Sequence, residues 1–418
     1  MGARHVVVIG GGAVGLASAD ELLARGHRVT IVERGGPDHD CCSLGNAGYI
    51  SPSHFLPLAA PGLLGQALRW MGNPESPFYV RPRPDPALAG WMWRFWLASS
   101  PARAHAAAPL MRDLNLASRT LFESLAAETG DAFSLVRRGC LTLFQTQRGL
   151  DREADHAERS RALGMDAEVL DAKAVAALEP GVSLDVTGGV FYPLDAHVTP
   201  DRFHAALTRR VAEKGGVFLW NAESRGFTRD SRRIRAVATT QGDIQGDEFL
   251  VAAGAHSSAL VAPLGIGLPL QPGKGYSLTM PKPPEMPTRP LLLQEVRVAI
   301  TPMNGSLRFG GTLELGAWGS EINPPRIRGI VRSALKHLTA FREDHFQGLT
   351  AWSGLRPCSP DGLPYVGRFR RFENLSVAAG HAMMGLSMSL ITGRVVAQIL
   401  SDGQPEYDLT LLDPDRYG

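Results

Sequence analysis

Val6-Val7-Val8-Ile9-Gly10-Gly11-Gly12-Ala13-Val14-Gly15, a helical stretch, and then Val29-Thr30-Ile31-Val32-Glu33 open the chain. The order is strand, Gly-x-Gly-x-x-Gly turn, helix, strand, acid. The turn alone is a weak signal, but in this full context it marks a nucleotide-binding βαβ unit. Gly10 permits the tight turn, and Gly12 removes a side chain where a pyrophosphate must approach the backbone. Gly15 lets the helix pack close to the strand. The helix N-terminus offers N–H groups and partial positive charge to phosphates. Glu33 ends the second strand, where a carboxylate accepts hydrogen bonds from a ribose diol. Ala13, Val14 and Arg34 fall within the same candidate site. The fingerprint establishes a dinucleotide and leaves open which one.

Two further glycine-marked turns follow. Asp247–Ala252 reads as a strand running into Ala253-Gly254-Ala255-His256, and Leu375–Ala379 as a strand running into Gly380-His381, with a small-residue helix over Gly385–Ser401. Strand pairing between these turns and the first makes the nucleotide domain discontinuous. Between them, helices are expected at Leu88–Ala98, Ala106–Glu128, Asp151–Leu163 and Pro200–Lys214, and one within Pro324–His345. Strands are expected at Gly189–Tyr192, Val217–Trp220, Ile234–Thr240, Gly275–Thr279, Val296–Thr301 and Leu307–Gly311, with a turn at Gln241-Gly242-Asp243 between Ile234–Thr240 and Asp247–Ala252. The stretch from Pro57 to Pro86 is rich in Pro and Gly, and Pro82, Pro84 and Pro86 break any regular pattern.

With 418 residues, 44% of them hydrophobic, the chain supports two domains. The expected fold is α/β: a discontinuous Rossmann-like domain over 1–54, 197–268 and 347–418, and a mostly antiparallel-sheet α+β substrate domain over 55–196 and 269–346. The 43 basic and 41 acidic residues form no long block of one sign, so nothing marks a nucleic-acid binder. Cys41, Cys42, Cys140 and Cys358 are too few and scattered for a disulfide framework, and the adjacent pair lacks Cys-x-x-Cys metal spacing. Reduced thiols in a cytoplasmic protein are expected, with no metal site. No signal peptide is expected ahead of the first strand, and no apolar run reaches the ~18 residues of a membrane span. Trp91-Met92-Trp93-Arg94-Phe95-Trp96 is expected as a core helix. The alternative is a surface patch that touches lipid or a partner, peripheral at the inner face of a membrane.

Three motifs together resemble the FAD-dependent D-amino-acid dehydrogenases and their relatives, the glycine, sarcosine and D-amino-acid oxidases. They are the N-terminal fingerprint; Gly45-Asn46-Ala47-Gly48 followed by Ile50-Ser51-Pro52; and Gly354-Leu355-Arg356-Pro357-Cys358-Ser359-Pro360-Asp361-Gly362-Leu363-Pro364 followed by Ala378-Ala379-Gly380-His381. Lys274-Gly275-Tyr276-Ser277 is also similar to the dehydrogenase branch. The resemblance covers nearly the whole chain and implies FAD. It carries Gly10, Gly12, Gly15 and Glu33 over as the ADP site, and Ser43, Asn46, Ala47 and Gly48 as flavin and phosphate contacts. Gly254 borders the dinucleotide, and Gly380, His381, Met384 and Gly385 lie toward the flavin's pyrimidine end. Arg356 matches the carboxylate-binding arginine. Met383 stands where glycine oxidases have a second arginine. The position near Gly354 used for covalent flavin attachment in sarcosine oxidases is not a cysteine, so the flavin is expected to be non-covalent.

The implied reaction is oxidation of an amino acid at Cα by hydride transfer to flavin N5, with electrons passing to a quinone or another carrier rather than efficiently to O₂. Arg356 suits the substrate carboxylate because a guanidinium grips it as a bidentate fork. Tyr276 is a candidate carboxylate or lid partner and otherwise a strand-buried tyrosine. His54 is a candidate pocket residue and otherwise a solvated loop histidine. A helix starting at His381 would aim N–H groups at the flavin N1–C2=O. A D-amino acid larger than glycine is expected, D-proline or hydroxy-D-proline by preference. The alternatives are an O₂-using glycine/sarcosine-type oxidase, an NAD-dependent dehydrogenase, and a subunit of a multi-subunit amine dehydrogenase. Oligomeric state is left open.

Overall fold

The computed structural model describes residues 2–57, 59, 73–80 and 84–417. Of the three spaced prolines, Pro82 lies outside the described residues. Pro86 does not break structure but begins a helix, Pro86–Ala98, where its missing N–H is no loss. Asp85 caps that helix by accepting from the N–H groups of Ala87 and Leu88.

The opening unit forms as read: β1 (His5–Ile9), α1 (Ala13–Ala24) and β2 (Arg28–Val32). The Val/Ile runs of β1 and β2 are buried on both faces, as strands of a helix-covered parallel sheet must be. The sheet has six strands in the order Tyr365–Arg368, Leu375–Ala379, Glu248–Val251, β1, β2, Val217–Leu219. All neighbours run parallel except the first pair. Three adjacent strands therefore end at the same edge, and each is followed within three residues by Gly380, Gly254 or Gly10. On the sheet's face α1 packs against Ser389–Leu400. There Gly393 is required, because a Cβ would lie 2.6 Å from the Ala17 carbonyl.

Glu248–Val251 does not form a hairpin with the strand before it. All four of its residues are buried, which places it inside the parallel sheet. Arg233–Thr239 pairs instead with Ser224–Asp230 and with Gly242–Gln245 in a separate three-stranded antiparallel sheet.

The second large sheet runs Ala351–Cys358, Gln271–Met280, Ser306–Leu315, Val298–Met303, Leu291–Leu293, Cys140–Phe144, Gly188–Tyr192, Glu168–Asp171, with Phe78–Val80 added to Ser306–Leu315. It is antiparallel except where Leu291–Leu293 meets Cys140–Phe144 and where Phe78–Val80 joins. The stretch 347–418, expected in the nucleotide domain, gives its first strand, Ala351–Cys358, to this sheet by pairing along Gln271–Leu278.

The aromatic helix is only half a core helix. Trp91 and Phe95 are buried, while Trp93 and Trp96 are more than half exposed and stack on each other at 5.0 Å. Among the described residues no helix is long and apolar enough to cross a membrane.

Gly10 sits at φ +112°, and a Cβ there would lie 2.5 Å from the Ala252 carbonyl oxygen. Gly10→Ala is expected to lower unfolding free energy by on the order of 3 kcal/mol. Urea denaturation checks it, and a midpoint matching the wild type would refute the close packing.

Candidate active site

One cavity of about 1410 Å³ opens where the parallel strands end and runs on under the second sheet. A small-molecule pocket is typically about 300–1,000 Å³, so this one has room for a dinucleotide and a further ligand.

At one end lies the glycine turn. Gly10, Gly12, Ala13, Val14, Glu33 and Arg34 line the cavity. Gly15 does not. It lets α1 sit on the turn, since a Cβ would run into the Gly10 carbonyl oxygen. The nearest atom to a Cβ at Gly12 is Ser43 Oγ at 3.8 Å, so that side of the turn faces open space. Gly12 caps α1 without a side chain and no acidic residue occupies the first turn, which leaves the helix N-terminus to an anionic ligand. Ala13 N–H donates to Ser43 Oγ at 3.2 Å. Glu33 accepts from Gly11 N–H (2.8 Å) on one oxygen and Gly35 N–H (2.9 Å) on the other. These bonds fix the carboxylate at the cavity wall and leave each oxygen a further lone pair. Arg34 meets His256 at 3.0 Å.

The Ser43–Gly48 loop forms the floor. Asn46 Oδ1 accepts from Gly48 N–H at 2.8 Å, and Gly48 takes φ +76°. Ser43, Asn46 and Ala47 line the cavity, whereas Gly48 turns away and its carbonyl accepts from Val198 N–H. Arg308, on the strand Ser306–Leu315, holds the loop from the other sheet through two 2.8 Å bonds to the Leu44 and Asn46 carbonyls. Sequence reasoning missed Arg308. The same strand carries a second charge, Glu314, so the sequence alone did not single Arg308 out.

The C-terminal turn differs from the expected helix start. Gly380 (φ +88°) and His381 lead into a short 3₁₀ turn, Ala382–Met384, and the α-helix begins only at Ser389. His381 is buried, meets Thr392 Oγ1 at 3.0 Å, and has its pKa pushed down to about 4 by burial. His381, Met384 and Gly385 line the cavity, as does Gly254, which begins a 3₁₀ turn at φ +55°. Gly380 shapes the turn from behind, packed on Tyr365.

Arg356 lines the far part of the cavity, on the edge strand Ala351–Cys358. Its Nη1 donates to the Thr312 carbonyl at 2.7 Å. Thr312 adopts φ +66°, a strained conformation for a β-branched residue. Gly275 makes room for the guanidinium, which would collide with a Cβ there. Among the described residues Arg356 has no carboxylate partner. Burial lowers its pKa, and the neighbouring charge-capable groups are the Cys42 and Cys358 thiols. Burial pushes both thiols up to about 12, so they remain neutral. A half-buried cation at a cavity wall without a counter-charge is a site for an anionic ligand.

Tyr276 also borders the cavity, but its hydroxyl donates to Glu314 Oε2 at 2.8 Å. His54 lines it too, with Nδ1 3.2 Å from Ser53 Oγ and its pKa lowered to about 4, mainly by burial. All four cysteines are free thiols. His39, Cys41 and His204 each place one potential metal-ligand atom within 4.8 Å of the others, beside Glu33.

Against known proteins, the family model described as FAD dependent oxidoreductase matches residues 5–399. The chain belongs to that family, and FAD is its cofactor. Its relatives include proteins named D-amino acid dehydrogenase. That of Granulibacter bethesdensis is 36% identical, covering 99% of both chains. That of Rhizorhabdus wittichii is also 36% identical, covering 99% of this chain and 100% of the relative. Glycine oxidase from Geobacillus kaustophilus shares the fold with a TM-score of 0.80 at 24% identity over 100% of both chains. L-proline dehydrogenase from P. horikoshii does so at 0.75 and 19%, over 99% and 98% of the two chains. The open face at Gly12, the uncapped helix and the anchored Glu33 fit the ADP half of FAD.

Burial holds His54, His197 and His381 near pKa 4, well under their unfolded value. Their contribution to stability is present above about pH 6.5 and is lost as pH falls through 4. Asp195, raised to about 7 by burial, acts in the opposite sense, losing its contribution as pH rises through 7. Melting temperature measured from pH 7 to 4 is expected to fall less steeply in His381→Asn than in the wild type. An identical slope would exclude His381 as a contributor.

Proposed function

We propose that the chain oxidises a D-amino acid at Cα, D-proline or hydroxy-D-proline by preference, and passes the electrons to a quinone or another carrier. The observation that carries this reading is Arg356, a half-buried guanidinium at the cavity wall with no carboxylate of its own among the described residues. Among the described residues the guanidinium makes one hydrogen bond, to the Thr312 carbonyl, and its remaining N–H groups suit a substrate carboxylate. Bound FAD supplies a two-electron acceptor for the hydrogen at Cα. The protein's task is to hold Cα in position, exclude water and keep the amine neutral. Position comes from Arg356 on a rigid strand, within a cavity whose apolar lining includes Leu292, Ala299 and Leu313. No base is required to take a proton from Cα in a hydride mechanism. His54, neutral at physiological pH, adds no charge to compete with the substrate.

The names of the relatives, D-amino acid dehydrogenase, support a D-amino acid as substrate. Met383 supports a dehydrogenase-type site over a glycine-oxidase type, because it lines the cavity without a charge at the position of the glycine oxidases' second arginine. Within this reading the six-stranded sheet belongs to the FAD-binding portion and the nine-stranded sheet to the substrate-binding portion, with FAD held non-covalently. The exposed Trp93, Trp96 and Leu97 support peripheral contact with a membrane surface, where a quinone would be met.

Three outcomes test the reading. A panel of D- and L-amino acids with a dye acceptor is expected to show turnover of D-substrates, and turnover of L-substrates alone would overturn it. Arg356→Ala is expected to raise KM about 100-fold or more while the flavin spectrum is kept; unchanged KM removes the carboxylate role. Oxygen as sole acceptor is expected to give little peroxide, and abundant peroxide would favour an oxidase.

A further inference from the structure

We infer that the cavity contains a second recognition subsite, centred on Arg297, that reads a hydroxyl on the substrate's side chain. The inference rests on the amino-acid reading above and goes beyond it by assigning a side-chain chemistry.

Gln294 and Arg297 lie in the turn between Leu291–Leu293 and Val298–Met303, and both line the cavity. Arg297 is held at φ +53°, a conformation that costs an L-residue roughly 1–2 kcal/mol and that glycine would adopt freely. Arg297 is an exposed residue whose guanidinium borders the cavity, and the protein around it depresses its pKa. Among the described residues the guanidinium makes one hydrogen bond, from Nη1 to Gln294 Oε1 at 3.0 Å, and no ion pair, although the Glu153 charge acts on it. The Nε and Nη2 edge is therefore left to a ligand.

An acceptor stands beside this donor. Gln294 Nε2 donates to Glu153 Oε2 at 3.4 Å and Tyr192 Oη donates to Glu153 Oε1 at 2.8 Å. Glu153 and Tyr192 also line the cavity. The hydrogen-bonded series Arg297–Gln294–Glu153–Tyr192 thus offers N–H donors and a carboxylate acceptor side by side. A hydroxyl is both acceptor and donor and satisfies both. A second carboxylate on the substrate would meet Arg297 but be repelled by Glu153. A purely apolar side chain would leave the donors unmatched, and that mismatch is what gives hydroxyl-reading sites their discrimination.

The placement relative to Arg356 suits one small amino acid. Ser353 pairs with Tyr276, Tyr276 with Gly311, and Gly311 with Val298, so three strand spacings separate the two arginine-bearing strands. Arg356 pairs with Gly273 and Gly273 with Leu315, so the arginines are also about three residues apart along the strands. At about 4.8 Å per spacing and about 3.3 Å per residue their backbones are roughly 17 Å apart, a span that their long side chains narrow. The α-carboxylate at one arginine leaves the side chain directed toward the other.

Two substrate pairs that differ by a hydroxyl test this: hydroxy-D-proline against D-proline, and D-serine against D-alanine, assayed on the flavin-loaded enzyme with a dye acceptor. The wild type is expected to favour the hydroxylated member in kcat/KM by about 100-fold or more. Arg297→Met and Gln294→Leu should bring that ratio to within a few-fold of one, and Arg297→Lys should restore part of it. The flavin spectrum and melting temperature report that each variant is folded. A wild-type ratio near one, or an Arg297→Met variant that lowers both members equally, overturns the subsite. Anaerobic titration of the flavin absorbance with the same four amino acids gives Kd ratios that judge the subsite even without turnover. If all four bind yet none is oxidised, the reaction reading fails and the subsite is still decided.

Discussion

Close approach of backbone to backbone at the end of β1 is the constraint on which the rest of the molecule depends. Gly10 turns the chain against the Ala252 carbonyl, and Gly15 brings α1 down onto Gly10. These contacts align the ends of three parallel strands, and the alignment creates one edge where three segments far apart in sequence arrive together. Ligands of open α/β sheets bind outside the carboxyl ends of strands for this reason: the loops diverge there and N–H groups are left over. The cavity, the anchored Glu33 and the C-terminal turn all descend from that alignment.

The second sheet meets this edge through arginines. Arg308 reaches across to two loop carbonyls, Arg356 takes one strand carbonyl, and Arg297 takes one side-chain amide. None of the three has an ion-paired carboxylate among the described residues; Arg308 and Arg356 are half-buried and Arg297 is exposed. Carbonyl oxygens compensate only part of the lost hydration and leave the net charge in place. The result is a cavity whose sheet-side wall is electropositive, opposite a glycine turn that is itself suited to phosphate. Two sources of positive potential, one from helix N–H groups and one from guanidinium side chains, converge on the same enclosed space.

The sequence made the nucleotide end legible because its geometry is dictated locally: turn, cap and strand end all lie within Gly10–Glu33. Gly254 and Gly380 were legible as turns for the same reason. The hairpin expected across Gln241–Asp243 failed because a short apolar run does not announce its partner, and Glu248–Val251 was taken up by the parallel sheet. Arg356 was legible only through its neighbours in a motif, and its place on an edge strand of the second sheet was not. Arg308, Arg297 and Gln294 were invisible as site residues because their roles come from strand register across long sequence separations. The aromatic helix was read by composition, and composition does not say which face is covered.

Thr312 shows what such a site requires of its scaffold. A threonine at φ +66° in the strand Ser306–Leu315 costs about 1–3 kcal/mol relative to a relaxed backbone. Glycine occupies the two positions before it and would bear the conformation without strain. The same twist turns the Thr312 carbonyl onto Arg356. A straighter strand would be the better sheet, and it would also leave the guanidinium free to swing. Rigidity at the arginine is thus obtained by distortion one strand removed, and the segment best suited to stabilising redesign is the one where redesign would loosen aim.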